Sequence, residues 1–237
     1  MQYNQNRIII LLPLKDRLHL LSVCEQVELT LGQVMCESGV PMFHAYFPNG
    51  GSIALLAAID KHAGLSVGMV GQEGMLGMHL MYGIANAPQQ GLVQGAGVAW
   101  RIDHGTFLNQ VMHSTALQRI LGHYTYVAMA QLALLIGCQR FHVLDARLAR
   151  WLLMRHDRTQ SDSFPVTHES LGYMLGVRRV GVTVAAGVFQ TQGLIRYNRG
   201  TLTVLDRRGL EHAACSCYEK DHSLYMKFMS STTNVRT

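Results

Sequence analysis

The chain has 237 residues, is 49% hydrophobic and carries a formal net charge of +5. That is ample for one large core or two small ones, so a folded soluble protein is expected. Its apolar runs IIILLP (8–13) and VAMAQLALLI (127–136) are shorter than the roughly 20 residues a membrane span needs, and no transmembrane segment is expected.

The amino terminus lacks a basic region, apolar stretch and small-residue cleavage site, which points to the cytoplasm. The five cysteines, at 24, 36, 138, 215 and 217, are odd in number and scattered, as suits a reducing compartment. His212, Cys215, Cys217 and His222 form a conceivable zinc set, but C-x-C is not the usual C-x2-C knuckle, and no metal site is expected.

In chain order, residues 18–104 carry short apolar or alternating runs broken by glycine, such as VELTLGQVMCESG and LSVGMVGQEGMLG. Many short strands with frequent turn signals predict an antiparallel β roll. From 107 to 138 there is no proline, and Phe107, Val111, Leu117, Leu121, Tyr124, Ala128, Gln131, Leu135 and Cys138 recur in steps of mostly three or four. This predicts one helix about 45 Å long at 1.5 Å per residue. A roll cannot bury all of it, so Leu117, Leu121, Tyr124, Ala128, Gln131 and Leu135 are expected to form a two-fold dimer seam.

Asp145 stands where it can cap a new helix, ARLARWLLMRHDR, and the polar loop HDRTQSDSFP follows. Thr167 caps the short helix HESLGYMLG, Gly176 ends it, and a third helix spans Val177–Gln192. LIRYNRGTLTVL then reads as two strands joined at Asn198-Arg199-Gly200. The expected parts are therefore 1–106, a sensor roll, 107–138, a dimerisation helix, and 139–237, a second domain.

Charge separates these parts. Residues 1–138 hold six Lys/Arg against seven Asp/Glu, whereas 139–237 hold fourteen against eight. A basic carboxyl-terminal third is suited to a polyanion. Helix, short helix, glycine-containing turn and helix is the helix-turn-helix order, with the hairpin as a wing. The second helix opens on Arg178 and Arg179, which can fork onto guanine O6 and N7, with Thr183 one turn on. Thr167 and His168 at the preceding helix start, and Arg199 at the wing tip, stand where phosphates are usually held.

From VLDARLARWLL through VTHESLGYMLGVRR to GLIRYNRGTLTVLDRRGLEHAACSCY, the sequence resembles the winged-helix half of the Crp/Fnr transcription regulators. GQVMCESGVPMFHAYFPNGGSIALL and VGMVGQEGMLG resemble that family's cyclic-nucleotide-binding-like jelly roll, so the resemblance covers about residues 15–220. It implies an α+β fold with an antiparallel jelly roll, a long dimerisation helix and a carboxyl-terminal winged helix-turn-helix. It also implies a homodimer on a palindromic double-stranded DNA operator, contact with RNA polymerase, no membrane and no enzymatic activity.

The departures concern the effector. Relatives that bind cyclic AMP carry a glycine-glutamate pair and, later, an arginine followed by a small polar residue and alanine. Here Gly71-Gln72-Glu73-Gly74 is one residue out of step, Gln89 matches the arginine, and Leu134 and Leu135 match positions that would meet adenine. Gly71, Glu73, Gly74, Gln89 and Tyr124 are thus the effector-pocket candidates. Losing a charge-assisted phosphate contact costs about 1.5–3 kcal/mol per hydrogen bond, so cyclic AMP is not expected. An iron–sulfur cluster lacks its cysteine group, and no histidine stands out as a haem ligand, so neither cofactor is supported and the effector is unknown.

The recognition helix departs as well, with Val180 and Val184 where relatives carry glutamate and arginine, which implies a different half-site. Two alternatives stand beside this reading. A DNA-binding protein needing no effector shares every motif, whereas a cupin-type metal enzyme needs an H-x-H cluster that His44, His62, His79 and His104 do not form.

Overall fold

The computed structural model describes residues 6–59, 62–159 and 161–229, with the side chains of residues 58, 59, 62 and 63 excepted. The outer ends of the expected first and third parts, and the His62 side chain, lie outside the described residues.

The described residues open with two helices, α1 (Arg7–Leu11) and α2 (Leu14–Ser22), so the roll begins later than the expected residue 18. Asn6 caps α1: its Oδ1 accepts from the Ile8 amide at 3.0 Å, while its Nδ2 donates to the Pro48 and Gly74 carbonyls. Ile8, Ile9 and Leu12 are thereby sunk into the roll's core.

Seven strands follow: β1 (Glu25–Leu29), β2 (Val34–Cys36), β3 (His44–Pro48), β4 (Ser52–Ile59), β5 (His62–Val70), β6 (Gln90–Gly95) and β7 (Gly97–Asp103). They form two antiparallel sheets, β1-β7-β3 and β2-β6-β4-β5, which is the expected roll. The β3–β4 turn lies against the β6–β7 turn so closely that a Cβ on Gly51 would stand 2.3 Å from the Gly95 carbonyl oxygen, and one on Gly97 2.4 Å from Gly50. Only glycine tolerates that approach, and Gly51 also needs φ of 76°.

The single helix expected over 107–138 is two: α3 (His104–His113) and α4 (Thr115–Phe141). Ser114 between them is extended, and its hydroxyl accepts from the Leu117 amide (3.1 Å) and donates to Asp16 of α2 (2.6 Å). A cap bonded to another element breaks a stretch whose composition alone would run on. By length and a mean hydropathy of 1.4, α4 alone among the described helices is long and apolar enough to cross a bilayer, although its uninterrupted apolar runs are short. Part of that apolar content is used inside the protein, since Leu117, Ile120, Leu121, Tyr124 and Val127 pack against the roll.

The remaining elements are α5 (Leu144–Thr159), β8 (Ser163–Pro165), α6 (His168–Leu175), α7 (Arg179–Thr191), β9 (Ile195–Asn198), β10 (Thr201–Val204), α8 (Arg207–Ala213) and α9 (Cys217–Met229). Asp145 lies within the first turn of α5 and not at its cap. The loop before α6 supplies β8, so the expected hairpin is a three-stranded sheet ordered β8-β10-β9. Leu148, Leu152, Leu171, Val182, Ala185 and Phe189 form the core of this part, and that core is continuous with Ala54, Leu56 and Met69 of the roll.

Candidate nucleic-acid interface and roll cavity

Helix α6 ends at Gly176, which adopts φ of 64°, and the Val177 amide returns to the Gly172 carbonyl at 2.9 Å. A Cβ on Gly172 would stand 2.9 Å from the Val177 carbonyl, so glycine lets the chain fold back tightly enough to start α7. Arg178 is then the N-cap residue of α7 and Arg179 its first residue, both exposed.

The apolar sequence of α7 has two destinations. Val182, Ala185, Ala186 and Phe189 are buried, whereas Val180 (72% exposed) and Val184 (64%) face outward on the same helix as Thr183. Their spacing of four puts both valines on one outer face.

His168, Thr183 and the wing are joined. Thr183 Oγ donates to the Arg179 carbonyl (3.1 Å) and so accepts from His168 Nδ1 (3.0 Å), which assigns the proton to Nδ1. The His168 ring stacks on Tyr197 of β9 with centroids 4.3 Å apart. Partial burial, and secondarily the Arg179 charge, hold the His168 pKa below its ordinary value of 6.5. Thr167 Oγ accepts from the Ser170 amide (3.0 Å) as the expected cap, and Arg199 sits at the wing tip with φ of 46° beside Gly200. The six expected contact residues therefore fall on α6, α7 and the wing, with His168 and Thr183 in direct contact.

The basic residues of the second half do not all lie on this face. Arg155 of α5 is 1% exposed and inserts into the roll, donating to Ser52 Oγ (2.5 Å) and the Gln94 carbonyl (2.6 Å), with its guanidinium 5.3 Å from the Phe164 ring centroid. Burial, helped by the Arg158 charge, pulls its pKa down to about 10. Arg158 pairs with Glu73 at 2.7 Å, and Arg150 pairs with Asp221 of α9. Much of the expected polyanion surface is thus internal wiring, which sequence charge counts do not distinguish.

The effector candidates are divided in the same way. Gln89 and Tyr124 line a roll cavity of about 230 Å³ between the sheet and α4, together with Leu55, Met69, Met75 and Gln131, and among the described residues neither Lys nor Arg lines it. Glu73 does not line it: its carboxylate accepts from the Gly71 amide (3.1 Å) and from Arg158, tying the roll to α5. Gly71 and Gly74 are spacers, since a Cβ on Gly71 would stand 2.8 Å from Arg158 and one on Gly74 2.1 Å from the Tyr124 hydroxyl. Gly71, Glu73 and Gly74 thus stand beside this cavity, and Glu73 lines a neighbouring one of about 200 Å³ with Arg158.

The residues expected to form a dimer seam are mostly turned toward the protomer's own core and cavities. Leu117, Leu121 and Tyr124 are buried in the protomer's own core, while Ala128, Gln131 and Leu135 are half-buried and line cavities. The outward face of α4 instead bears Tyr126, Met129, Ala133 and Ile136, spaced three, four and three residues apart. Both faces are apolar at helical spacing, and nothing in periodicity says which one meets the roll.

A further group brings together residues the sequence kept apart. Cys138 in the last turn of α4 and His142 one turn on meet Cys215 and Cys217 from the α8–α9 connection, their ligand atoms all within 4.8 Å of one another. His212 and His222 are not in it: His212 Nδ1 donates to the Arg208 carbonyl. The usable sequence signal was C-x3-H, one helical turn, matched with the distant C-x-C.

Residues 146–213 match the model of the Crp-like helix-turn-helix domain. Among solved structures, FixK2 from Bradyrhizobium japonicum is similar with a TM-score of 0.69 at 12% identity, over 81% of this chain and 98% of that chain. A transcriptional regulator of the CRP/FNR family from Thermus thermophilus gives 0.65 at 22% identity, over 80% and 98%. The c-di-GMP responsive global regulator CLP of Xanthomonas campestris gives 0.63 at 15%, over 81% and 99%. No curated protein sequence matches significantly. At these identities the likeness is one of fold, and it spans nearly the full length of each of the three.

Proposed function

We propose that this chain, a protein of the Crp/Fnr type with a Crp-like helix-turn-helix domain in that family's fold, is a homodimeric, cytoplasmic, sequence-specific DNA-binding transcription regulator. The observation that carries the reading is the joined exposed surface of α6, α7 and wing, where Arg178 and Arg179 open the second helix and His168 couples Thr183 to Tyr197. A helix start bearing two free guanidinium groups suits guanine edges in a major groove, and Thr167 and Arg199 flank it as phosphate contacts. Val180 and Val184 add an apolar face suited to thymine methyls, so the half-site differs from that of relatives carrying charge there.

Dimerisation through Tyr126, Met129, Ala133 and Ile136 accounts for the exposed apolar side of α4, and it sets two recognition helices on a roughly palindromic site. Contact with RNA polymerase, which the sequence resemblance implies, belongs to this reading. Among the described residues the roll cavity has no lysine or arginine for a cyclic phosphate, so cyclic AMP is not the expected effector, and c-di-GMP, to which the CLP relative is described as responsive, belongs among the ligands to test. An effector of any kind would act by favouring one arrangement of α5 on the roll over another.

The test is selection from a random duplex pool with the purified full chain. An enriched palindrome with half-site centres about 34 Å apart, bound more weakly with salt at a slope near −0.9 per phosphate contact, is expected. Equal affinity for every duplex would overturn the reading. A thermal-shift screen with cyclic mono- and dinucleotides tests for an effector, because bound ligand raises stability by RT ln(1 + [L]/Kd), and cyclic AMP is expected to give no shift.

A further inference from the structure

We infer that Cys138, His142, Cys215 and Cys217 form a closed tetrahedral site for a single Zn²⁺ ion, which clamps the junction between the long helix and the DNA-binding domain.

The spacing of the four ligand atoms, all within 4.8 Å of one another, suits a tetrahedron around one metal ion. Zinc bonds of about 2.3 Å to sulfur and 2.0–2.1 Å to nitrogen give tetrahedral edges of about 3.8 Å between sulfurs and about 3.6 Å between sulfur and nitrogen. Cys138 Sγ lies 3.5 Å from Cys215 Sγ, and Cys217 Sγ lies 3.6 Å from His142 Nδ1. All three thiols are buried, and Leu134 and Ala146 pack against them. Three thiolates and one imidazole fill every position around zinc, as a structural site requires, and leave none for substrate or water.

The surroundings match the charge such a centre would carry. Three thiolates on a divalent ion leave a net charge of −1, and the Arg150 guanidinium reaches Cys138 while held in place by Asp221 of α9. Arg147 lies close enough to Cys138 and Cys215 to add a second positive charge. Positive groups beside thiolates of a zinc centre hold its orientation and stabilise its charge.

The position gives the site its role. Helix α4 ends at Phe141, His142 caps it, and α5 starts at Leu144, so the ligand pair on α4 stands at the bend between the two helices. The other pair anchors the start of α9, which lies along α4 with Tyr126 and Phe228 rings 4.8 Å apart. A bound ion would therefore join the end of α4 to the α8–α9 connection and restrain the bend about which the recognition helices must be placed. This inference needs the fold but not the DNA reading, and its readout involves no DNA.

The experiment is elemental analysis of the full chain purified without chelator, together with the spectrum of protein reloaded with Co²⁺. One zinc per chain, and a cobalt form with thiolate-to-metal charge-transfer absorption and the strong visible bands of tetrahedral coordination, are expected. Cys217→Ser should reduce zinc to well below one per chain, while Cys36→Ser, at a thiol away from the group, should leave it at one. If Cys217→Ser does not fold, the wild-type zinc content and cobalt spectrum decide alone. Wild-type protein that neither carries nor takes up one equivalent of Zn²⁺ or Co²⁺, a cobalt spectrum without thiolate bands, or a Cys138–Cys215 disulfide in freshly alkylated cells would overturn it.

Discussion

Arg155 and Arg158 of α5 and Arg178 and Arg179 of α7 lie within 25 residues of one another and are put to opposite uses. The first pair is buried and spends its hydrogen bonds on Ser52, Gln94 and Glu73 of the roll. The second pair is exposed at a helix start with donors facing solvent. The same side chain thus serves as a strut in one place and stays available for a partner in the other, because burial decides whether five fixed donors are consumed internally or remain free. The lesson is that the basic excess of residues 139–237 overstates the surface available to a polyanion.

The comparison breaks most sharply at Arg155. Arg155→Ala removes a fully buried side chain and leaves Ser52 Oγ and the Gln94 carbonyl without it, so thermal unfolding should show a loss of about 3 kcal/mol, within the range for orphaned buried polar groups. Arg179→Ala should do the reverse. Unfolding stays within about 0.5 kcal/mol of the parent as for other surface changes, while affinity for the selected duplex falls by about 1–3 kcal/mol and one base position relaxes. Equal stability losses in both variants would erase the distinction.

A smaller effect is expected at Thr167, which is both a cap and an expected phosphate contact. Thr167→Ala should cost about 1 kcal/mol of stability through the Ser170 amide, measurable by denaturant titration. The smallest is at His168, whose pKa lies below 6.5 because partial burial and the Arg179 charge disfavour its cation. Its neutral form is the one favoured in the folded state. The contribution is therefore fully present above pH 6.5 and lost as pH falls through the lower folded value, with an NMR titration midpoint below that of an unfolded histidine. A midpoint above 6.5 would contradict the desolvated ring stacked on Tyr197.

The winged-helix half was legible because its signals are local. Thr167 as cap, Gly176 as stop and the Arg199-Gly200 turn each depend on a few neighbouring backbone positions, and all three hold. The β roll was legible from turn spacing, although the α1 and α2 helices before it were not. The break at Ser114 was missed since it depends on Asp16, nearly a hundred residues away. Glu73 was assigned to a ligand for the same reason: a glycine-rich turn displays a carboxylate, but only Arg158 arriving from α5 shows where it points.

By itself the sequence determined the succession of roll, helical stretch and winged helix-turn-helix, and placed the two arginines at the start of α7, all set by propensity, capping and turn chemistry within a few residues. Tertiary structure alone decided which face of α4 meets the roll, which arginines are buried, and that Cys138 and His142 stand beside Cys215 and Cys217. Those outcomes rest on contacts between segments far apart in the chain, where hydrophobic burial and buried hydrogen bonds select among faces that periodicity leaves equivalent.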